Sequence, residues 1–305
     1  MVNIDHAAIP AIARTGEESA PSESYPNPVA KSGALDMAQT YASTNYGGDA
    51  PGNYQKFFVP SIGGPVAEDL IALAGLKAGE HVLDVACGTG VVTRMAARQV
   101  MPGGKVTGLD LNPGMLATAR ANTDPDLGTD WVEADAAAIP LNDGNFDVVL
   151  CQMSLQFIPN KLAALREMHR VLKPSGRILL SVPGPKPPLF AAMHDGIARH
   201  LSHEGALFLD LVFAMHDPRE LRDLFDNAGF HNVQVHSAPK ALTVPRPEEF
   251  LWQYVHSTPL ASEAVNATPS ARQALEETVC PKWSDYVVGG KTRFEVGITT
   301  VQAWA

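Results

Sequence analysis

The sequence predicts an α/β fold in which a mostly parallel sheet carries helices on both faces. From about residue 64 to residue 184, short apolar segments alternate with amphipathic segments of helical period. Strand–helix–strand connections of this length join parallel strands and place each helix against a face of the sheet. The chain has 305 residues, of which 45% are hydrophobic, so a sizeable core is available.

Local signals set the limits of the first elements. Pro65 begins a helix, and Asn112 with Pro113 begins another, because a side-chain cap and a proline suit the first helical turn. Gly75 lies near the end of one predicted helix, and Gly176 follows another. The predicted helices cover 65–76, 91–101, 113–123 and 160–173, and the predicted strands cover 81–90, 105–110, 129–135, 145–153 and 177–184.

The second half of the chain is less regular. A helix is predicted over 217–230, and alternating residues predict strands over 231–238 and 296–305. The segments 185–216 and 239–292 interrupt this rhythm and are predicted to be helical lid insertions over the strand ends. Their many Phe, Leu and Met side chains are consistent with core packing or with a hydrophobic substrate cavity.

Residues 1–50 differ from the rest of the chain, which is predicted to be one domain over 51–305. This first segment is acidic, rich in Ser, Pro, Ala and Gly, and without periodicity, so we expect a flexible arm. The alternative is that its aromatic end, from Tyr41 to Phe58, folds over a site.

Charge and cysteine content narrow the function. A net charge of −10 disfavours binding to phosphate backbones, and three cysteines are too few for a disulfide framework. No metal site is expected, because His200, His203 and Glu204 lack the histidine spacing of a zinc motif. We expect a cytoplasmic protein with no integral membrane segment and leave a homodimer open.

Polar and glycine residues follow four of the strands, where an open parallel sheet binds its ligands. The first strand leads into Gly88-Thr89-Gly90, but Thr93 stands where a dinucleotide fingerprint has its third glycine, which disfavours a nucleotide-dependent oxidoreductase. Asp110 ends the second strand, where a carboxylate can accept both hydroxyls of a ribose. Asp135 follows the third strand and suits an adenine amino group or a helix cap.

Four ordered motifs resemble those of the class I S-adenosylmethionine-dependent methyltransferases, in the group related to the ubiquinone and menaquinone biosynthesis enzymes. They are VLDVACGTG (82–90), GLDLNPGML (108–116), EADAAAIPLNDGNFDVVLCQMSLQFIPN (133–160) and LREMHRVLKPSGRILLSV (165–182). The resemblance implies a Rossmann-like sheet of seven strands, the last one antiparallel, and S-adenosylmethionine as cofactor. The cofactor contacts that it implies are Tyr54, Asp84, Ala86, Cys87, Gly88, Gly90, Asp110, Leu111, Met115, Asp135, Ala136 and Gln152.

The predicted function is methyl transfer to a small hydrophobic acceptor, such as a phenol, quinone, polyketide or lipid-like molecule, at oxygen or carbon. His194 and His256 are the candidate general bases, because an O–H or activated C–H acceptor loses a proton. A repurposed or noncatalytic protein that binds the same cofactor is the main alternative.

Overall fold

The computed structural model describes residues 33, 36, 37, 39, 40 and 46–305. Most of the predicted acidic arm, including Tyr41, lies outside these residues. Its flexibility therefore stays a prediction.

One sheet organises the described chain. Seven strands lie in the order β3-β2-β1-β4-β5-β8-β6, and the two-residue strand β7 pairs with β8. Strand β8 runs antiparallel to both β5 and β6, and the pairs among β1 to β5 are parallel. This confirms the predicted fold class. The strands are β1 (His81–Val85), β2 (Lys105–Asp110), β3 (Thr129–Glu133), β4 (Phe146–Gln152), β5 (Leu172–Pro183), β6 (His231–Val244), β7 (Val287–Val288) and β8 (Lys291–Trp304).

The helices begin and end largely where the local signals predict. The Asn112 side chain caps its helix by accepting from the backbone N–H groups of Gly114 and Met115, and Gly75 ends another helix with φ of +53°. The helices are α1 (Ala50–Asn53), a π-helix (Tyr54–Gly63), α2 (Gly64–Ala74), α3 (Val91–Val100), α4 (Pro113–Ala121), α5 (Lys161–Val171), α6 (Pro188–His200), α7 (His203–Val212), α8 (Pro218–Ala228), α9 (Pro247–His256), α10 (Ala261–Asn266) and α11 (Pro269–Trp283).

Both faces of the sheet are covered by apolar layers. On one face, α5 and α8 pack against β1, β4 and β5, with Leu165 and Phe225 fully buried. On the other face, α2 and α3 pack against the same strands, and Leu70 is buried there. Because water is excluded from both faces, the central strands are continuously apolar rather than alternating.

A third core lies in the predicted lid segments. Helices α6, α7, α9 and α11 bury Phe190, Phe250 and Trp283 together, and the Trp283 indole N–H donates to the carbonyl oxygen of Leu189 at 2.8 Å. Many of the large apolar residues in the predicted lid segments therefore form hydrophobic core.

The last two long strands extend beyond their predicted limits. Pairing between β5 and β8 stops at Pro183 and Ile298, whereas β6 and β8 stay paired with each other as far as Val244 and Thr292. The predicted insertion 239–292 is thus β-strand at both ends, with helices between them. Buried and exposed residues alternate along both extensions, and Leu242 and Phe294 are on the buried side, in the lid core.

The helical run Ala50–Ala74 has 25 residues, and its most apolar 18-residue stretch has a mean hydropathy of 1.3, so its length and composition are sufficient to cross a membrane. The sequence pattern indicated no membrane segment here, because Lys56, Pro60, Glu68 and Asp69 interrupt the apolar residues. Half of its most apolar window is buried within the protein, and Ile62 and Leu70 belong to the hydrophobic cores. A core helix of a protein that does not cross a membrane can have the same length and composition.

Candidate active site

Asp110 connects three segments at the carboxyl edge of the sheet. Its Oδ2 accepts the backbone N–H of Gly88 at 2.7 Å, and its Oδ1 accepts that of Asn112 at 2.8 Å. Its carbonyl oxygen accepts from Ala134 at 3.1 Å. Burial raises the pKa of this carboxyl, while the backbone N–H groups act in the opposite direction. Each carboxylate oxygen can still accept a further hydrogen bond, as a ribose diol requires.

The loop after β1 exposes backbone rather than side chains. Ala86 and Gly88 both have φ of +54°, and a Cβ built on Gly88 meets no atom within 4 Å. The Cys87 thiol instead lies under the loop, 3.0 Å from the Cβ position of Gly108, and burial raises its pKa well above the usual value. The loop therefore presents an open surface to which a ligand can approach closely.

Asp84 is almost completely buried beneath this loop. The Thr93 hydroxyl donates to Asp84 Oδ2 at 2.6 Å. Burial raises the pKa of Asp84 to about 7, although the hydrogen bonds from Thr93 lower it. Thr93 occupies the position where the dinucleotide fingerprint has a glycine, so the departure from that motif has a structural role that sequence reasoning missed.

The predicted adenine region lies at the ends of β2 and β3. Asp135 is exposed, and its Oδ1 accepts the backbone N–H of Ala137 at 2.8 Å, as expected of a turn cap. Ala136 and Met115 are buried, whereas Leu111 is 63% exposed. This exposed apolar side chain beside Asp110 is available to a flat ring.

Gln152 ends β4 in a tight turn around Met153. The Gln152 amide N–H donates to the carbonyl oxygen of Gly63 at 2.9 Å, which joins β4 to the π-helix. Met153 has φ of +50°, its N–H donates to Ser181 at 2.7 Å, and its carbonyl oxygen accepts from Gln156 at 2.9 Å. Sequence reasoning named Gln152 as a cofactor contact but gave no role to Gln156 or Ser181.

The segment 46–63 lies over these strand ends. The Asn112 amide N–H donates to the carbonyl oxygen of Tyr46 at 2.8 Å, and the Tyr46 hydroxyl donates to the carbonyl oxygen of Ser257 at 2.9 Å. Tyr54 stacks on Phe58 with 4.5 Å between ring centroids, and burial together with the charge of Asp110 raises the pKa of Tyr54. The segment thus brings aromatic rings next to the predicted ribose site.

The two candidate bases have different surroundings. His194 Nδ1 lies 3.1 Å from Asp195, and His194 Nε2 lies 3.4 Å from Asp210. His256 lines a surface cavity of about 500 Å³ together with Trp252, and burial followed by the charge of Arg272 lowers its pKa. A general-base role for either histidine stays a prediction.

The polar groups at this edge fit the predicted cofactor. Thr89 Oγ1 and Gln152 Oε1 are buried without a hydrogen-bond partner among the described residues. One is a hydroxyl that can donate to a carboxylate, and the other is an amide oxygen that can accept from an ammonium group. They accompany the open glycine loop and the carboxylate of Asp110. Within the described part of the chain, no three His, Cys, Asp or Glu side chains are grouped as metal ligands.

Comparison with known families agrees with this geometry. A family model described as a methyltransferase domain matches residues 83–180. Demethylmenaquinone methyltransferase from Staphylococcus aureus is 34% identical over 175 residues, which cover 53% of this chain and 73% of that protein.

Two solved structures share the fold. Phosphoethanolamine N-methyltransferase 2 from Haemonchus contortus, solved with phosphomonomethylethanolamine and S-adenosylhomocysteine, has a TM-score of 0.56 at 18% identity, covering 89% of this chain and 59% of that one. A Bacillus halodurans protein, whose name gives methyltransferase as its suspected activity, has a TM-score of 0.54 at 24% identity, covering 78% of this chain and 97% of that one.

Proposed function

This chain belongs to the class I S-adenosylmethionine-dependent methyltransferases, and from that membership we propose that it methylates a small hydrophobic acceptor at oxygen or carbon. The enzyme uses S-adenosylmethionine as its cofactor. The finer question is which acceptor it takes.

The observation that supports an apolar acceptor is the set of side chains between the Met153 turn and the lid. Phe58, Met153 and Phe157 are only partly buried and pack against the lid core. Phe157 stacks on Phe208 of α7 with 6.0 Å between centroids, and Phe58 lies 6.2 Å from Tyr254 of α9. Aromatic and Met side chains of this kind favour a flat, apolar molecule.

The proposed reaction is an in-line displacement. The cofactor supplies a methyl group on a sulfonium ion. When bound, it would pass this methyl group to an oxygen or carbon of the acceptor, which would lose a proton, and the electron pair of the broken carbon–sulfur bond would stay on sulfur. Holding the two partners in line can contribute roughly 7–11 kcal/mol to the barrier reduction. His194 and His256 are the candidates for receiving the proton.

The relative from Staphylococcus aureus is named demethylmenaquinone methyltransferase, after a menaquinone precursor. That name supports a quinone-like acceptor within the proposed range. A net charge of −10 continues to disfavour nucleic acid as acceptor. Cytoplasmic location and a homodimer stay predictions.

Calorimetric titration with S-adenosylmethionine and S-adenosylhomocysteine tests the cofactor part. The Asp110→Ala variant should bind at least about 10-fold more weakly, because hydrogen bonds to a charged acceptor contribute roughly 1.5–3 kcal/mol. Unchanged affinity would refute the ribose role of Asp110. The Asp130→Asn variant, which neutralises an exposed carboxylate on β3, is the matched control.

Turnover of a panel of phenols, naphthols and hydroquinones, followed by the mass of the methylated product, tests the acceptor part. Gain of one methyl group on any panel member supports the proposal. Tight cofactor binding together with turnover of polar amines, and with no turnover of any panel member, would contradict it.

A further inference from the structure

Unpartnered buried polar atoms concentrate at one edge of the sheet. Five buried side-chain atoms have no hydrogen-bond partner among the described residues. Thr89 Oγ1 lies in the glycine loop. Three others belong to Gln152 at the end of β4, Gln156 in the short helical turn after it and Ser181 near the end of β5. Only the hydroxyl of Thr292, at the start of β8, lies elsewhere.

The backbone of Met153 links Gln152, Gln156 and Ser181. Gln152 is its chain neighbour and the register partner of Ser181, so these two side chains lie on the same face of the sheet. The Met153 N–H donates to the carbonyl oxygen of Ser181, and Gln156 Nε2 donates to that of Met153. We call Gln152, Gln156 and Ser181 the Met153 turn cluster.

The Met153 turn cluster borders both predicted ligands. Ser154 Oγ lies 3.3 Å from the carbonyl oxygen of Ala86 in the glycine loop, which brings the turn against the cofactor site. The Met153 side chain packs on the lid core, on the side of the aromatic rings. The cluster therefore lies where methyl donor and acceptor meet.

Such an arrangement is unfavourable unless a ligand completes it. Ser181 and Gln156 are each 1% exposed, and a buried polar group without a partner destabilises a fold by about 1–3 kcal/mol. Met153 adds a left-handed backbone, which a residue with a side chain rarely adopts. Unsatisfied groups and strained backbone together are typical of functional sites.

We propose that the Met153 turn cluster binds a neutral hydroxyl group of the acceptor, a specificity that rests on the proposed methyl transfer. Gln152 Oε1 is left to the cofactor, so the cluster offers the acceptor the Ser181 hydroxyl and the Gln156 amide oxygen, and the Gln156 amide N–H is occupied by Met153. An acceptor O–H donates to an amide oxygen, and its own oxygen accepts from Ser181. The Gln156 amide oxygen repels a carboxylate or phosphate, and an alkyl group leaves the Gln156 oxygen and the Ser181 hydroxyl unpaired.

The test is calorimetry on the full chain saturated with S-adenosylhomocysteine. The probes are 2-naphthol, 2-methylnaphthalene and 2-naphthoate, which share a ring system and differ in one substituent. Wild type should bind 2-naphthol at least about 10-fold more tightly than the other two, since a site built to pair a hydroxyl rejects analogues that lack it.

Ser181→Ala should weaken 2-naphthol binding by roughly 3- to 10-fold and leave 2-methylnaphthalene binding unchanged. The matched control is Thr292→Ala, which removes an unpartnered buried hydroxyl outside the Met153 turn cluster, at the start of β8, and should alter neither affinity. A purely structural role of Ser181 would change both probes alike.

Three results would overturn the inference: equal wild-type affinity for the hydroxyl and methyl probes, tighter binding of 2-naphthoate, or no effect of Ser181→Ala on 2-naphthol. Binding of S-adenosylhomocysteine without binding of any probe also overturns it but leaves methyl transfer intact. Loss of S-adenosylhomocysteine binding in wild type would refute the proposed function itself.

Discussion

The buried carboxyl of Asp84 makes the stability of this protein depend on pH in an unusual direction. Asp84 is 1% exposed, and burial raises its pKa from 3.8 to about 7. Between these two pH values the folded chain keeps the Asp84 proton and the unfolded chain releases it. The free energy of unfolding therefore decreases as pH rises from about 4 to about 7.

The size of this contribution follows from the shift. A shift of about three pKa units corresponds to about 4 kcal/mol at roughly 1.36 kcal/mol per unit. This stabilisation is fully present below the unfolded pKa of Asp84 and is lost by the time pH passes its folded pKa. Asp110, whose pKa is also raised by burial, adds a contribution of the same sign.

The perturbation is Asp84→Asn, which keeps the shape of the side chain and an oxygen that can accept from Thr93. Urea unfolding without cofactor, followed by circular dichroism from pH 5 to pH 8, measures the free energy of unfolding. Across this range the variant should lose about 2–3 kcal/mol less than wild type, because only about two of the roughly three pH units between the unfolded and folded pKa of Asp84 lie above pH 5. The Asp130→Asn control, on a side chain that is 55% exposed, should follow the wild-type curve.

Parallel curves for wild type and Asp84→Asn would refute the reasoning, because they would mean that Asp84 binds its proton equally in both states. A steeper decrease in the variant would refute it as well.

Three further perturbations test local contacts. Gly90→Ala should destabilise the chain by about 1–3 kcal/mol and weaken S-adenosylhomocysteine binding, since Gly90 has φ of +80° and a Cβ there would lie 2.5 Å from Trp131; unchanged melting would contradict this. Asn112→Ala removes a helix cap and should reduce the free energy of urea unfolding by about 1 kcal/mol, whereas an unaltered midpoint would show that the cap contributes nothing. Ser181→Ala removes an unpartnered hydroxyl and should raise the cofactor-free melting temperature by about 2 °C, and a clear decrease would instead reveal a hidden partner.

Local chemistry made most of the fold predictable. The cap at Asn112, the stop at Gly75 and the end of β2 at Asp110 depend on residues next to them in the chain. The cofactor identity was predictable for a similar reason, because the motifs lie directly after the strands. The roles of the individual site residues stay predictions, and the structure shows which of them lie together, as Gly88 and Asp110 do.

Contacts between distant segments could not be predicted in this way. Tyr46 donates to Ser257, 211 residues further along the chain, and no local pattern predicts that pair. In the sequence, Thr93 stood out only because it replaces the third glycine of the dinucleotide fingerprint. In the structure, its hydroxyl donates a hydrogen bond to Asp84. Ser181 gave a weaker sequence signal, as a polar residue within the apolar end of strand β5.

The amino-acid sequence by itself determined the strand–helix alternation, the glycine loop and the family, because periodicity, caps and motifs act over a few residues. Only the tertiary structure decided that much of the apolar surplus builds a separate lid core, and that Gln152, Gln156 and Ser181 gather around Met153. Whether a polar side chain finds a partner depends on every segment that packs around it. That condition exists only after the chain has folded.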